Sequence, residues 1–359
     1  MPSSAKRLLV GSTESYSGKT AVVLGIGLQL KALGIDLAFG KPMGSPVRGD
    51  EVDPDLDFVL QTLGLGDDRY FPPTVSLSET VVANWLKSGE ILTCTAQLNS
   101  FTETKGESLL LLEGPGNLHE GKLVSLDLPQ MVEAIDAQVL LVTRYDSLLL
   151  VERLLTAKAE LGEHLLGVIV NDLPEAAIEQ FKQLAVPFLE QNHIPVLATL
   201  PRSPLMRSIS VRDIVGRLKA DVLCCGDRLD LMVETLTIGA MNVNSALRYF
   251  RKGINMAVVT GGDRADIQLA ALETATQCLV LTGQIPPSRE ILERAKDLEV
   301  PILAVDSDTL STVERIDELF GQARLHEPVK VKCLEELFAD HFDIDRLMQL
   351  LNLKVPVAT

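Results

Sequence analysis

A series of short apolar runs, spaced by helix-length stretches, constrains the first two hundred residues more than any other feature. The runs are RLLVG at 7–11, IDLAFG at 35–40, ESLLLLEG at 107–114, AQVLLVT at 137–143, LLGVIVND at 165–172 and IPVLATLP at 194–201. They are apolar throughout and do not alternate with polar residues, as strands covered on both faces require. Between them lie helical patterns such as LLLVERLLTAKAEL and EAAIEQFKQLAVPFLEQN. Strand–helix alternation of this kind predicts an α/β fold, a parallel sheet with helices on both faces. The pattern shifts near residue 203. INMAVVTGGDRADIQLAALETA and QCLVLTGQIPPSREILERAKDLEVPILAVD repeat strand–loop–helix in shorter units. The reading is therefore a first domain over 1–204, a smaller α/β domain over 205–330 and a helical tail over 331–359. LEELFADH and DIDRLMQLL form the amphipathic pieces of that tail.

Composition narrows the class of partner. The formal charge of −16 opposes binding to nucleic acid or to an anionic membrane surface. No apolar run reaches the length of a membrane span, and the N-terminal apolar stretch is too short for a secretion signal. Five cysteines without a CxxC pair predict neither a disulfide framework nor a zinc site, so the expectation is a cytoplasmic protein.

The chemistry concentrates in GSTESYSGKT at 11–20, between the first strand and the first helix. At such a junction backbone N–H groups and the helix dipole together favour an anion. Lys19 would reach the β- and γ-phosphates of a nucleotide, and the Thr20 hydroxyl would face Mg²⁺. Gly18 closes the loop. The usual glycine five residues earlier is absent, because Thr13 stands there.

This loop resembles that of dethiobiotin synthetase, Gly-Thr-Asp-Thr-x-x-Gly-Lys-Thr, with one extra residue and with Glu14 in the acidic place. Three further stretches carry the same resemblance in the same order: GKPMGS at 40–45, EGPGN at 113–117 and GVIVND at 167–172. The resemblance implies ATP and Mg²⁺ as cofactors. It implies a nucleotide site of Glu14, Ser17, Gly18, Lys19, Thr20, Lys41, Ser45 and Asn171, with Asn171 reading adenine and Lys41 and Ser45 as phosphate or substrate contacts. Glu113 would be a metal ligand beside Thr20. A second acid is expected from Asp53, Asp55 or Asp57, with Asp57 preferred. Past Lys41 the chain shows no recognisable diamine pocket, so the resemblance reaches the nucleotide better than the substrate.

In the second domain, VVTGGDRADI at 258–267 places two glycines and several polar groups between a strand and a helix. The run is similar to the DRTGG domain, and GAMNVNSALRYF at 239–250 strengthens the match. The implied second ligand site is Thr260, Gly261, Gly262, Asp263, Arg264 and Asp266. A dethiobiotin-synthetase-like domain followed by a DRTGG domain resembles the N-terminal regulatory portion of the long phosphate acetyltransferases. The acetyl-transferring domain of those enzymes would lie beyond Thr359, so no acetyl transfer is expected of this chain.

The residues show no nucleophile and no evident general base. The expectation is an ATP-binding regulatory or sensor protein linked to central or acetyl metabolism. It would be a homo-oligomer, with a second small-molecule ligand or a protein partner. The alternative is an ATP-dependent ligase that activates a carboxylate.

Overall fold

A computed structural model describes residues 5–44, 54–89, 93–103 and 105–355. Two compact units emerge. One holds residues up to Arg202 together with the segment from Leu325 onward, and the other is Ser203–Arg324.

In the first unit, strands β1 (Lys6–Ser12), β2 (Leu37–Gly40), β3 (Tyr70–Phe71), β4 (Leu109–Glu113), β5 (Gln138–Arg144), β6 (Leu165–Leu173) and β7 (Val196–Pro201) form one sheet. Their order is β3-β2-β4-β1-β5-β6-β7, and every described pairing is parallel. Each apolar run named above falls on one of these strands. The reason is burial on both faces: Leu8, Leu9, Val10, Leu109–Leu112 and Val139–Val142 are all within the core. Strand β1 lies between β4 and β5, so the chain departs in opposite directions on its two sides. That is a topological switch point, and the crevice at the carboxyl ends of such strands is where α/β sheets receive ligands.

Helices α1 (Lys19–Ala32), α2 (Pro54–Leu63), α3 (Glu79–Ser88), α4 (Leu128–Ile135) and α5 (Leu150–Leu161) connect these strands. The stretch after β6 begins as α6 (Glu175–Gln180), widens to a π turn over Phe181–Ala185 and ends as α7 (Val186–Gln191). Pro187, which has no N–H to donate, sits just beyond the π turn.

The C-terminal tail packs onto this first unit through α13 (Pro328–His341) and α14 (Ile344–Leu351), numbered after the helices of the second unit. Gly25 of α1 lies so close to α13 that a Cβ there would meet the Phe338 ring at 2.6 Å. Phe342 bridges to Ala198 of β7, and the Asp343 N–H donates to the Leu197 carbonyl at 2.9 Å. Arg346 holds Glu190 with both Nη atoms, at 2.8 and 2.7 Å.

The second unit contains α8 (Val211–Leu218), β8 (Asp221–Cys224), β9 (Thr235–Ile238), α9 (Val243–Phe250), β10 (Met256–Gly261), α10 (Ala265–Leu272), β11 (Thr276–Thr282), α11 (Arg289–Asp297), β12 (Ile302–Val305) and α12 (Thr309–Gly321). Its main sheet runs β8-β12-β11-β10-β9, parallel except for the antiparallel β8. Alternate residues of the sheet face two separate cores. Val258, Leu279 and Leu281 pack with Phe250, Ile267 and Ile291, whereas Val259, Val280 and Leu303 pack with Ile214 and Ile316. Strands β8 and β9 were absent from the sequence reading. Both are four residues long, and most of their side chains are exposed or half-buried, so neither makes an apolar run.

Among the described residues no helix is long and apolar enough to cross a membrane.

Candidate functional site

Parallel strands place their carboxyl ends on one edge, and the first unit's sequence-predicted residues that are described mostly collect there. The loop Thr13–Gly18 leaves β1, Lys41 follows β2, Glu113 ends β4, and Asn171 lies near the end of β6. Gly18 takes φ +98°, a left-handed conformation that favours glycine, and it caps α1 without any side-chain hydrogen bond. No acidic residue lies in the first turn of α1. The helix end is thus left open to an external anion.

Lys19 folds back into the loop. Its Nζ donates to Ser12 Oγ at 3.0 Å and to the Gly116 carbonyl at 3.5 Å. Ser12 Oγ itself donates to the same carbonyl at 2.8 Å. Burial pushes the Lys19 ammonium below its ordinary value, against the opposing pull of the Glu113, Glu120 and Glu14 carboxylates. Nearby, Lys41 Nζ and Glu113 Oε1 stand 3.3 Å apart, both almost fully buried. A buried pair of this kind costs desolvation free energy that its attraction must offset, so it is weak evidence of stability.

Glu14 ties the loop head to β5. Its Oε1 accepts from the Arg144 N–H at 2.6 Å, its Oε2 accepts from the Thr13 hydroxyl, and Arg153 lies 3.8 Å away. Thr13 Oγ1, its proton given to Glu14, accepts from the Thr143 hydroxyl at 2.9 Å. Asn171 closes the other side. Its Nδ2 donates to the Ser17 carbonyl at 2.9 Å, and its Oδ1 accepts from the Asp172 N–H at 2.9 Å. A Cβ on Gly18 would stand 2.5 Å from Asn171 Nδ2, so glycine is needed here for contact as well as for φ.

Two observations bear on whether ATP and Mg²⁺ suit these residues. Ser17 is 1% exposed, yet its Oγ has no hydrogen-bond partner in the protein. An orphaned buried hydroxyl in a loop of this shape is what a phosphate oxygen would satisfy. Thr20 and Glu113 provide oxygen donors, which suit Mg²⁺, a cation that keeps waters and shares phosphates. Among the described residues no group of three or more His, Cys, Asp or Glu converges on one point, so a metal cage made wholly by protein side chains is not in evidence there.

Other predicted residues are placed elsewhere. Asp57 is exposed on α2 and accepts from Gln61 Nε2 at 2.8 Å. Asp55 pairs with His326 Nε2 at 2.9 Å. Ser45 and Asp53 lie outside the described residues. Sequence reasoning missed Ser12, Gly116 and Glu120. The Gly116 N–H donates to the Glu120 carboxylate, and Gly116 contacts the loop. The GPGN run was a usable signal for Gly116, whereas nothing in the spacing marked Glu120.

In the second unit, Thr260–Asp266 form one turn at the carboxyl end of β10. Thr260 Oγ1 donates to the Gly239 carbonyl at 3.0 Å, and Arg264 Nη2 donates to the Met241 carbonyl at 2.8 Å. Arg264 Nε donates to Asp266 at 3.2 Å and holds that carboxyl below its usual range. Gln268 Nε2 spans the Gly261 and Gly262 carbonyls at 3.0 and 3.1 Å. A Cβ on Gly262 would stand 2.1 Å from the Ile285 carbonyl. The turn therefore meets two other loops of its own unit, at Gly239–Met241 and at Ile285, and Asp263 remains exposed on it.

Comparison with known proteins gives a consistent picture. Residues 6–210 match the AAA domain family and residues 213–319 match the DRTGG domain. A phosphate acetyltransferase of Nitratidesulfovibrio vulgaris is 27% identical over 98% of this chain and 52% of its own length. That of Synechocystis is 26% identical over 96% of this chain and 52% of its own. The chain thus spans about half the length of these curated relatives. A crystal structure of the CBS and DRTGG domains of the Clostridium perfringens pyrophosphatase regulatory region, complexed with diadenosine tetraphosphate, aligns with 23% identity and a TM-score of 0.27. The alignment covers 37% of this chain and 67% of that one. The chain belongs to the AAA domain family, and its P-loop domain is followed by a DRTGG domain.

Proposed function

We propose that this chain binds ATP with Mg²⁺ at the loop before α1 and acts as a nucleotide-dependent regulatory protein. The observation that carries the reading is the pairing of an orphaned Ser17 hydroxyl with a half-buried Lys19 at a helix N-terminus that no side chain caps. Lys19 and the backbone of Ser17 and Gly18 would hold the phosphates, and Thr20 and Glu113 would face the metal, with Asp57 the remaining acidic candidate. Mg²⁺ would neutralise phosphate charge and fix the phosphate chain. Glu14 would brace the loop through β5, and Lys41 would lie beside the phosphates together with Ser45. Asn171 would meet adenine through its amide. The DRTGG turn, Thr260–Asp266, would take a second ligand or serve a contact between copies of the chain. In that case nucleotide binding and assembly would influence each other reciprocally.

The test is calorimetric titration of ATP·Mg²⁺ into the natural chain and Lys19→Ala. Loss of a charge-assisted phosphate contact, worth about 1.5–3 kcal/mol, predicts roughly ten- to hundredfold weaker binding. Equal affinities would remove Lys19 from the site.

A second reading is an ATP-dependent ligase acting on a carboxylate. The buried Lys41–Glu113 pair favours it, since it would hold the Lys41 side chain in place where an acyl phosphate would form. Carboxylate-stimulated release of phosphate, lost in Lys41→Ala, would support that reading over simple sensing.

A further inference from the structure

Asp172 adopts φ +59° and is 8% exposed. One of its oxygens accepts from Arg144 Nε at 2.9 Å and the other from Arg202 Nε at 3.0 Å. The two guanidinium groups therefore share one carboxylate and are held close together. Each is anchored through Nε, and among the described residues neither terminal amino group has a hydrogen-bond partner. Their side chains are 36% and 43% exposed, whereas that of Asp172 is 9%. Anchoring one edge of a planar guanidinium leaves the other edge pre-aimed and lowers the entropy lost on binding. Two positive charges on this carboxylate are also out of character for a chain with a net charge of −16.

Arg144 belongs as well to a cavity of about 420 Å³ lined by Glu14, Arg144, Tyr145, Asp146 and Arg153. Its two acids are already engaged. Glu14 accepts from the Arg144 N–H, and Asp146 accepts from Arg153 Nη1 at 2.7 Å. Arg153 Nε is buried there without a hydrogen-bond partner. The cavity thus offers unused donors and no unengaged carboxylate, which suits an oxyanion.

We propose that Arg144 and Arg202 form a second oxyanion subsite, apart from the Lys19 phosphate contact, that takes a phosphate group beside this cavity. The group is a free phosphate or a phosphate carried on the ribose of a nucleotide. Neither guanidinium shares a hydrogen-bond partner with Lys19, so Lys19→Ala tests the subsite apart from the loop's phosphate contact.

The test uses the full chain. Inorganic phosphate is titrated calorimetrically into Lys19→Ala, and into the same protein with Arg144→Gln or Arg202→Gln added. ADP is then compared with 3′-phospho-ADP in the natural chain and in both arginine variants. A free-phosphate site predicts that phosphate binding survives Lys19→Ala and weakens at least tenfold with either arginine change. A ribose-phosphate site predicts at least tenfold preference for 3′-phospho-ADP, abolished in both variants. Arg202→Lys, which keeps the charge and loses the fork, guards against misfolding and should give an intermediate loss of roughly threefold. Phosphate binding that vanishes with Lys19→Ala alone, together with no preference for 3′-phospho-ADP, or arginine variants that weaken ATP and nothing else, would overturn the subsite. So would unchanged phosphate affinity together with an unchanged nucleotide preference.

Discussion

Lys19 carries the proposed phosphate contact, and its environment makes a pH prediction. Burial lowers its affinity for a proton in the free protein, with the surrounding carboxylates opposing. A bound phosphate would add a strong negative charge and raise it again. ATP affinity should therefore be full below the free-state value, which lies under the ordinary lysine value, and should fall as pH rises through it. Binding in that upper range should take up protons. Calorimetry in two buffers of different ionisation enthalpy measures that uptake, and zero uptake at alkaline pH would separate Lys19 from the phosphate. Asn171 makes a second residue-scale prediction. Its amide links Ser17 to Asp172, so Asn171→Ala should loosen the loop and erode discrimination between ATP and GTP. Competition between the two nucleotides checks this. Unchanged discrimination would leave Asn171 as a brace for the Ser17 carbonyl alone. At this scale the sequence spoke through type and order: Gly18, Lys19, Glu113 and Asn171 were named from motifs. The Lys41–Glu113 pair and the Lys19–Gly116 contact join residues far apart in the chain, and no local pattern encodes them.

At the scale of elements, the long buried strands were legible because burial on both faces writes an unbroken apolar run. Strands β8 and β9 were not, since edge positions leave their side chains half in water and their pairing depends on partners elsewhere. The tail was legible as helices but not as to its destination. Its amphipathic pieces say that one face is buried and do not say against what. The answer is α1 and β7, with Phe338 filling the space that Gly25 leaves. Phe338 is fully buried, so Phe338→Ala should cost about 3–5 kcal/mol of the first unit's stability. Denaturant unfolding measures this. A loss below about 1 kcal/mol, the scale of an ordinary surface change, would mean that the tail docks without contributing to the core.

At the scale of the whole molecule, the chain completes most of one unit, builds a second over Ser203–Arg324 and then returns to the first. Both crossings start or end on elements of the P-loop unit. Arg202 is held by Asp172, one residue from Asn171, and His326 is held by Asp55 at the start of α2. A ligand that orders the loop before α1 should therefore tighten the first unit beyond the loop itself, because α1 carries the tail. Hydrogen exchange with and without ATP·Mg²⁺ is the most direct test of the central claim. The account predicts slowed exchange over Thr13–Thr20, over Glu113–Glu120 and around Asn171, with a smaller effect along Pro328–His341, and the same changes in Lys19→Ala only at roughly ten- to hundredfold higher nucleotide. Exchange that stays the same over Thr13–Thr20 at saturating nucleotide, or that slows only within Ser203–Arg324, would contradict it.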